Sequence, residues 1–122
     1  MERRTLVAPL FLLFSCLTAP LAACGGAPVP TERMVASESA LRGAQEVGAR
    51  NVPQAALHLR LAEEQIQKAK ALINDGDNER ADYVLLRAKA DAELALALAK
   101  EANAKADAQR ALDQVKSLQG GQ

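Results

Sequence analysis

The sequence predicts an all-α protein: an antiparallel helical hairpin with an alanine-rich, coiled-coil-like seam, a short helix before it, and a third helix far longer than its partner. Three observations carry this prediction. From residue 24 onward, 22 of 99 residues are alanine and charges of both signs are interspersed, a mixture that reads as long helices. Before Gly120-Gly121, the strongest chain breakers after residue 31 are Asn51-Val52-Pro53 and Asn74-Asp75-Gly76. The segments after these breakers carry small apolar residues at alternating steps of four and three, the spacing of a heptad seam.

The first 23 residues read as a lipoprotein signal peptide. Met1-Glu2-Arg3-Arg4 is a short charged start, Thr5 to Leu17 is almost wholly apolar, and small residues lead to Cys24. The apolar run is shorter than the roughly 20 residues that a membrane span needs. Pro9 and Pro20 would also interrupt such a helix. Arg3-Arg4 lacks the rest of a twin-arginine motif, so the general secretory route is expected.

Leu21-Ala22-Ala23-Cys24 resembles a bacterial lipobox, with cleavage expected between Ala23 and Cys24 and lipid attachment on Cys24. Cys16 is a poorer site, because Phe14 stands where a small residue is wanted. Cleavage would leave Cys24 as the single cysteine, so an internal disulfide is excluded and the leftover thiol needs a use. Two acyl chains on that thiol give stable membrane anchoring. Gly25 is not the aspartate that marks inner-membrane retention in enteric bacteria, and this points to the outer membrane with the folded part facing the periplasm.

Residues 24–30 form a tether, Gly-rich and then stiffened by Pro28 and Pro30. Six residues reach at most about 20 Å, so the folded part would stay close to the bilayer. The helical domain is expected over residues 31–119, with a disordered tail at 120–122. Thr31 is the expected N-cap of a first helix running to about Arg50. Its apolar positions are Met34, Ala40, Leu41, Ala44 and Val47, and Gly43 and Gly48 weaken it.

Pro53 suits the first turn of a second helix that should reach Ile73, with Gly76 as the left-handed residue after its end. Asp77 is the expected cap of a third helix running to about Gln119, with Glu79 near its positive end. The second helix carries Ala55, Leu59, Ala62, Ile66, Ala69 and Ile73 on its seam. The third carries Ala81, Leu85, Ala88, Ala92, Ala95 and Ala99, continuing through Ala102 and Ala106. Folded at Gly76, the two seams align layer by layer from Ile73 with Ala81 to Ala55 with Ala99, and the residue numbers of every pair sum to 154. Four of these six layers set a large residue against alanine, which fills space well.

The third helix should outrun the second. It would be roughly 60 Å long against about 32 Å at 1.5 Å per residue. From about Ala102 onward it has no second-helix partner, yet Leu112, Val115 and Leu118 continue an apolar pattern whose phase slips between Ala106 and Ala108. Leu94 to Ala99 is apolar on every side, which suggests burial all round. Either the first helix covers part of this stretch and a protein partner or a second copy the rest, or the region is a frayed alanine-rich end.

Composition and spacing argue against several functions. Residues 24–122 carry 13 Lys and Arg against 14 Asp and Glu, so no basic excess attracts a phosphate backbone, and nucleic-acid binding is not expected. Phe11 and Phe14 lie in the leader, leaving Tyr83 as the one aromatic after it and little to stack a sugar. His58 is the only histidine and reads as a residue at the seam boundary, not a metal ligand. Asp75-Gly76-Asp77-Asn78-Glu79 has its glycine misplaced for a calcium loop, and Leu86 stands where a bidentate glutamate is needed. Glu63-Glu64 reads as solvated surface. No catalytic residue, cofactor, metal or small-molecule substrate is expected, and the protein is not expected to be an enzyme.

One order of residues carries a family likeness. Ala40-Leu41-Arg42-Gly43-Ala44-Gln45-Glu46 is followed by Val52-Pro53-Gln54-Ala55, by Leu61-Ala62-Glu63-Glu64, by the Gly76-Asp77 turn and by the alanine-rich run from Ala81 to Lys100. Over roughly residues 34–106 the chain resembles the small alanine-rich envelope proteins grouped as a domain of unknown function, family 4398. The resemblance implies no activity. Longer relatives append an outer-membrane-protein-A-like, peptidoglycan-binding domain, to which nothing here corresponds, so no binding residues are assigned. The expected function is therefore a structural or adaptor role in the cell envelope, through membrane anchoring and helix-mediated contact. A small periplasmic binding module for cell-wall or lipid ligands is the alternative.

Overall fold

The computed structural model describes residues 26–121. Among these residues, three helices make up the fold: α1 (Thr31–Glu46), α2 (Pro53–Asn74) and α3 (Asn78–Gly120), with a 3-10 turn at Ala49–Asn51 between the first two. The signal segment and Cys24 lie outside the described residues.

The hairpin forms as its seam requires. Eleven of the twelve expected seam residues are buried; Ile73, at the open end beside the turn, is half-buried and packs against the core. The turn is a Schellman motif, with Gly76 at φ +79° and the Asp77 and Gly76 amides donating to the Leu72 and Ile73 carbonyls at 2.8 and 3.0 Å. Asp77 then caps α3 by accepting from the Arg80 amide at 3.4 Å.

The core is thin and divided. Of its 13 buried apolar residues ten are alanine, so Leu59, Ile66 and Leu85 supply the bulk. One cluster gathers Leu59 with Ala55, Ala95 and Ala99; the other gathers Ile66 and Leu85 with Ala69, Ala81 and Ala88. Ala62 and Ala92 are fully buried between them and belong to neither, as an alanine-on-alanine layer cannot bridge two apolar clusters.

α1 completes a three-helix bundle by lying in the hairpin groove, parallel to α3 and antiparallel to α2. Its contacts climb α3 together, from Arg33 with Asp82 to Ser37 with Leu85. Along α2 they run in opposite senses, from Glu38 with Lys70 at 2.8 Å to Gln45 with Glu63 at 2.9 Å. The seam of α1 is Met34, Ser37, Leu41 and Ala44, of which Ser37 and Ala44 are fully buried. The Ser37 hydroxyl lies 2.8 Å from the Arg33 carbonyl and 2.9 Å from that of Leu85. The second distance shows how close the two backbones come, since one of the shortest side chains reaches across.

Three boundaries differ from expectation. Thr31 is the first helical residue, and Pro30 occupies the cap position. α1 stops at Glu46 instead of Arg50, because Gly48 turns left-handed at φ +81° and a 3-10 turn follows. Gly120 is helical and not part of a tail. Finally, the tether does not hang free: the Ala27 carbonyl accepts from Asn78 Nδ2 at 2.7 Å, holding the chain beside the hairpin turn.

Candidate interaction surface

α3 has two faces of opposite fate. Its inner seam, Ala81 to Ala99, is buried in the bundle. α2 begins at Pro53, opposite about Glu101 in the hairpin register, so the last 18 residues of α3 extend alone for about 27 Å. The final tie to the bundle is Asn103, whose Nδ2 donates to the Val47 carbonyl at 3.0 Å and so satisfies an orphan at the end of α1. Every residue from Asn103 to Gly121 is exposed.

Within this overhang Leu112, Val115 and Leu118 are 57, 50 and 69 % exposed. What holds the segment helical is local: Glu101 with Lys105 at 2.6 Å, Asp107 with Arg110, and Gln109 with Asp113 at 2.9 Å. The Lys105 hydrogen bond, and then its charge, hold the Glu101 carboxyl below the ordinary glutamate value.

The all-round apolar stretch of α3 is only partly covered. α1 packs over Leu96, and Leu98 is half-buried, but Leu94 remains 42 % exposed and Ala97 is exposed. Tyr83 and Leu86 are also exposed on α3. The apolar outer surface of the bundle thus continues into the overhang.

His58 sits at the hairpin flank, as its sequence position suggests, and it has a partner that spacing could not disclose. Its Nδ1 lies 2.9 Å from Asp91, and the other Asp91 oxygen accepts from Gln65 Nε2 at 2.7 Å. This trio flanks the Ala62–Ala92 layer and closes the gap between the two clusters with polar contacts. Its three groups are held by one another, and among the described residues no hydroxyl or thiol is hydrogen-bonded to them. The arrangement pins the hairpin register.

Asp75, Asp77 and Glu79 do not converge, because Asp77 is engaged as the α3 cap and in an ion pair with Arg80. Among the described residues there is no group of three or more His, Cys, Asp or Glu placed to hold a metal. Two shallow clefts adjoin the tether. One is lined by Val29, Pro30, Arg33 and Asp82, the other by Pro28, Val29, Asn78 and Tyr83. No described helix is long and apolar enough to cross a membrane.

Fold and surface together define a small alanine-seamed helical bundle carrying an unpartnered helical extension. Residues 32–117 match the family model described as Domain of unknown function (DUF4398), and the chain belongs to that family. The match runs about fifteen residues past Ala102, so the family pattern takes in the overhang as well as the bundle. Comparison with curated proteins and with solved structures gives no match.

Proposed function

We propose that this is an envelope lipoprotein, anchored through a lipid on Cys24, that acts as a structural or adaptor element by presenting α3 to a helical partner. The observation that carries the docking role is the overhang: 18 residues of helix whose leucines and valine face solvent, within the span matched by the family. Most helical stability in proteins comes from packing an apolar face, and this segment has no neighbour within the described residues to pack against. The anchoring rests on Leu21-Ala22-Ala23-Cys24 and the charged, apolar leader before it. Gly25, in place of a retention aspartate, favours the outer membrane, and on this reading the folded part lies on its periplasmic face.

Metabolic labelling with a tagged fatty acid tests the anchor: label is expected on the full chain and absent from Cys24→Ala. Photo-crosslinkers placed at Leu112 and Val115 in living cells test the docking role. Crosslinked species of defined mass are expected there and not from Arg60, on the exposed side of α2. Uniformly monomeric protein at all three positions would refute it.

A further inference from the structure

The outer face of α3 carries a second heptad. Starting at Tyr83 and stepping by four and three without a break, it passes through Arg87, Ala90, Leu94, Ala97, Glu101, Ala104, Ala108, Ala111, Val115 and Leu118. All eleven residues are exposed, and nine are alanine, aliphatic or tyrosine. The helix therefore has two seams on opposite sides. One closes its own bundle and the other, about 53 Å long at 1.5 Å per residue, faces solvent.

We propose that the occupant of this outer seam is the α3 helix of a second copy, antiparallel, in the register where facing residue numbers sum to 205. This rests on the reading that α3 is the docking element. The case for it comes from the hairpin itself. There the seam layers sum to 154, and the observed Gln65–Asp91 contact shows that flanking positions on one side pair at two more than the layer sum.

Applied to two copies of α3, that rule sets the 205 register apart from its two neighbours by charge. A sum of 198 sets Lys100 against Lys100 of the partner subunit, and Glu93 against the partner's Asp107. A sum of 212 sets Asp107 against its own copy. A sum of 205 sets Lys100 against the partner's Asp107, twice by symmetry, and Glu93 against the partner's Gln114. No like charges meet in these flanks.

The layers fit as well. Leu94 faces the partner's Ala111 and Ala90 faces the partner's Val115, the same large-against-alanine scheme that fills the hairpin; Ala97 faces the partner's Ala108, while Arg87 faces the partner's Leu118 and Glu101 the partner's Ala104. Registers of 219 and above avoid the clashes but pair only the overhangs and leave Leu94 bare. In the 205 register the overhang of each copy covers the exposed outer face of the other's bundle. Up to eighteen residues of each α3 fall on the seam or its flanks, below the roughly 20–30 a side of a standard interface, so the pairing is a modest one.

Charge swaps test the register. Among the described residues every buried one lies between Ser37 and Ala99, so residues 26–122 carry this core complete and can be studied without lipid. Sedimentation equilibrium of this fragment is expected to show a dimer. Lys100→Glu and Asp107→Lys should each weaken it about tenfold or more, and the two together should restore it to within about threefold, because the attraction is rebuilt with reversed sign. Mixed copies carrying Ala97→Cys or Ala108→Cys should form the mixed disulfide in preference to either self-pair. A monomer across the accessible concentration range overturns the proposal, as does a double swap no better than its singles. A monomer here together with a captured foreign protein in cells would sink self-pairing while sparing the adaptor role. Loss of fatty-acid labelling would sink the anchor and leave the dimer test untouched.

Discussion

The two halves of α3 have similar composition and different circumstances. From Asn78 to Ala102 the helix is held by two neighbours, its seam alanines are fully buried, and Ser37 and Asn103 stitch it to α1. From Asn103 to Gly120 the same kind of sequence stands alone, held by side-chain pairs along its own surface. Alanine content therefore does not decide whether a helix is core or surface. The phase of the few large residues does: Leu85 falls on the inner seam, and Val115 and Leu118 on the outer.

Core truncation should separate the halves most sharply. Leu85 is fully buried, so Leu85→Ala is expected to cost about 3 kcal/mol, whereas Val115→Ala in dilute solution should cost under about 0.5 kcal/mol, both read from chemical denaturation. Equal losses would mean that the overhang is already packed in the monomer. Next comes the contrast between glycines. Gly76→Ala forces a side chain into φ +79° and should lose about 1–2 kcal/mol; Gly120→Ala, helical with open space around its Cβ, should lose nothing. Ser37→Ala removes the hydroxyl between α1 and α3 and should lower stability by about 1 kcal/mol. A neutral result would assign the hold of α1 to its flanking ion pairs.

The smallest expected effect is on pH. The Glu101 carboxyl is held low by Lys105, so its contribution is complete above the ordinary glutamate range and lost as pH falls through the depressed value. Far-ultraviolet dichroism should show slight fraying of the overhang on acidification, and Glu101→Gln should remove that step. A curve unchanged by the substitution would place the acid sensitivity elsewhere.

The hairpin was legible because a four-three repeat, two glycine and proline breakers and a fixed pair sum all describe one geometry. α1 was harder. Ser37 occupies a seam position that polarity disguises, and its burial depends on the nearness of the α3 backbone, which no local pattern records. His58 was placed at the right boundary, but Asp91 is 33 residues away and meets it only once the helices are docked. The outer heptad was hidden for a different reason. Alanine on both sides of α3 blurs two seams into one apolar run, and Arg87 and Glu101 interrupt the outer one. The apparent phase slip after Ala106 is the point where the inner seam ends and the outer one goes on. The lipid site lies outside the described residues, so the leader rests on sequence alone.

The hydrogen bond from Asn78 to Ala27 gives the molecule a polarity. Because it holds Ala27 at the turn end, the start of the described chain and the tip of α3 stand at opposite poles of a stiff rod of about 65 Å. Such a rod is a gauge: adding or removing one heptad moves its tip by about 10 Å without disturbing the core. Paired head to tail through the outer seam, two rods would set their turn ends about 74 Å apart. A dimer of that kind either lies flat along one surface or measures the gap between two.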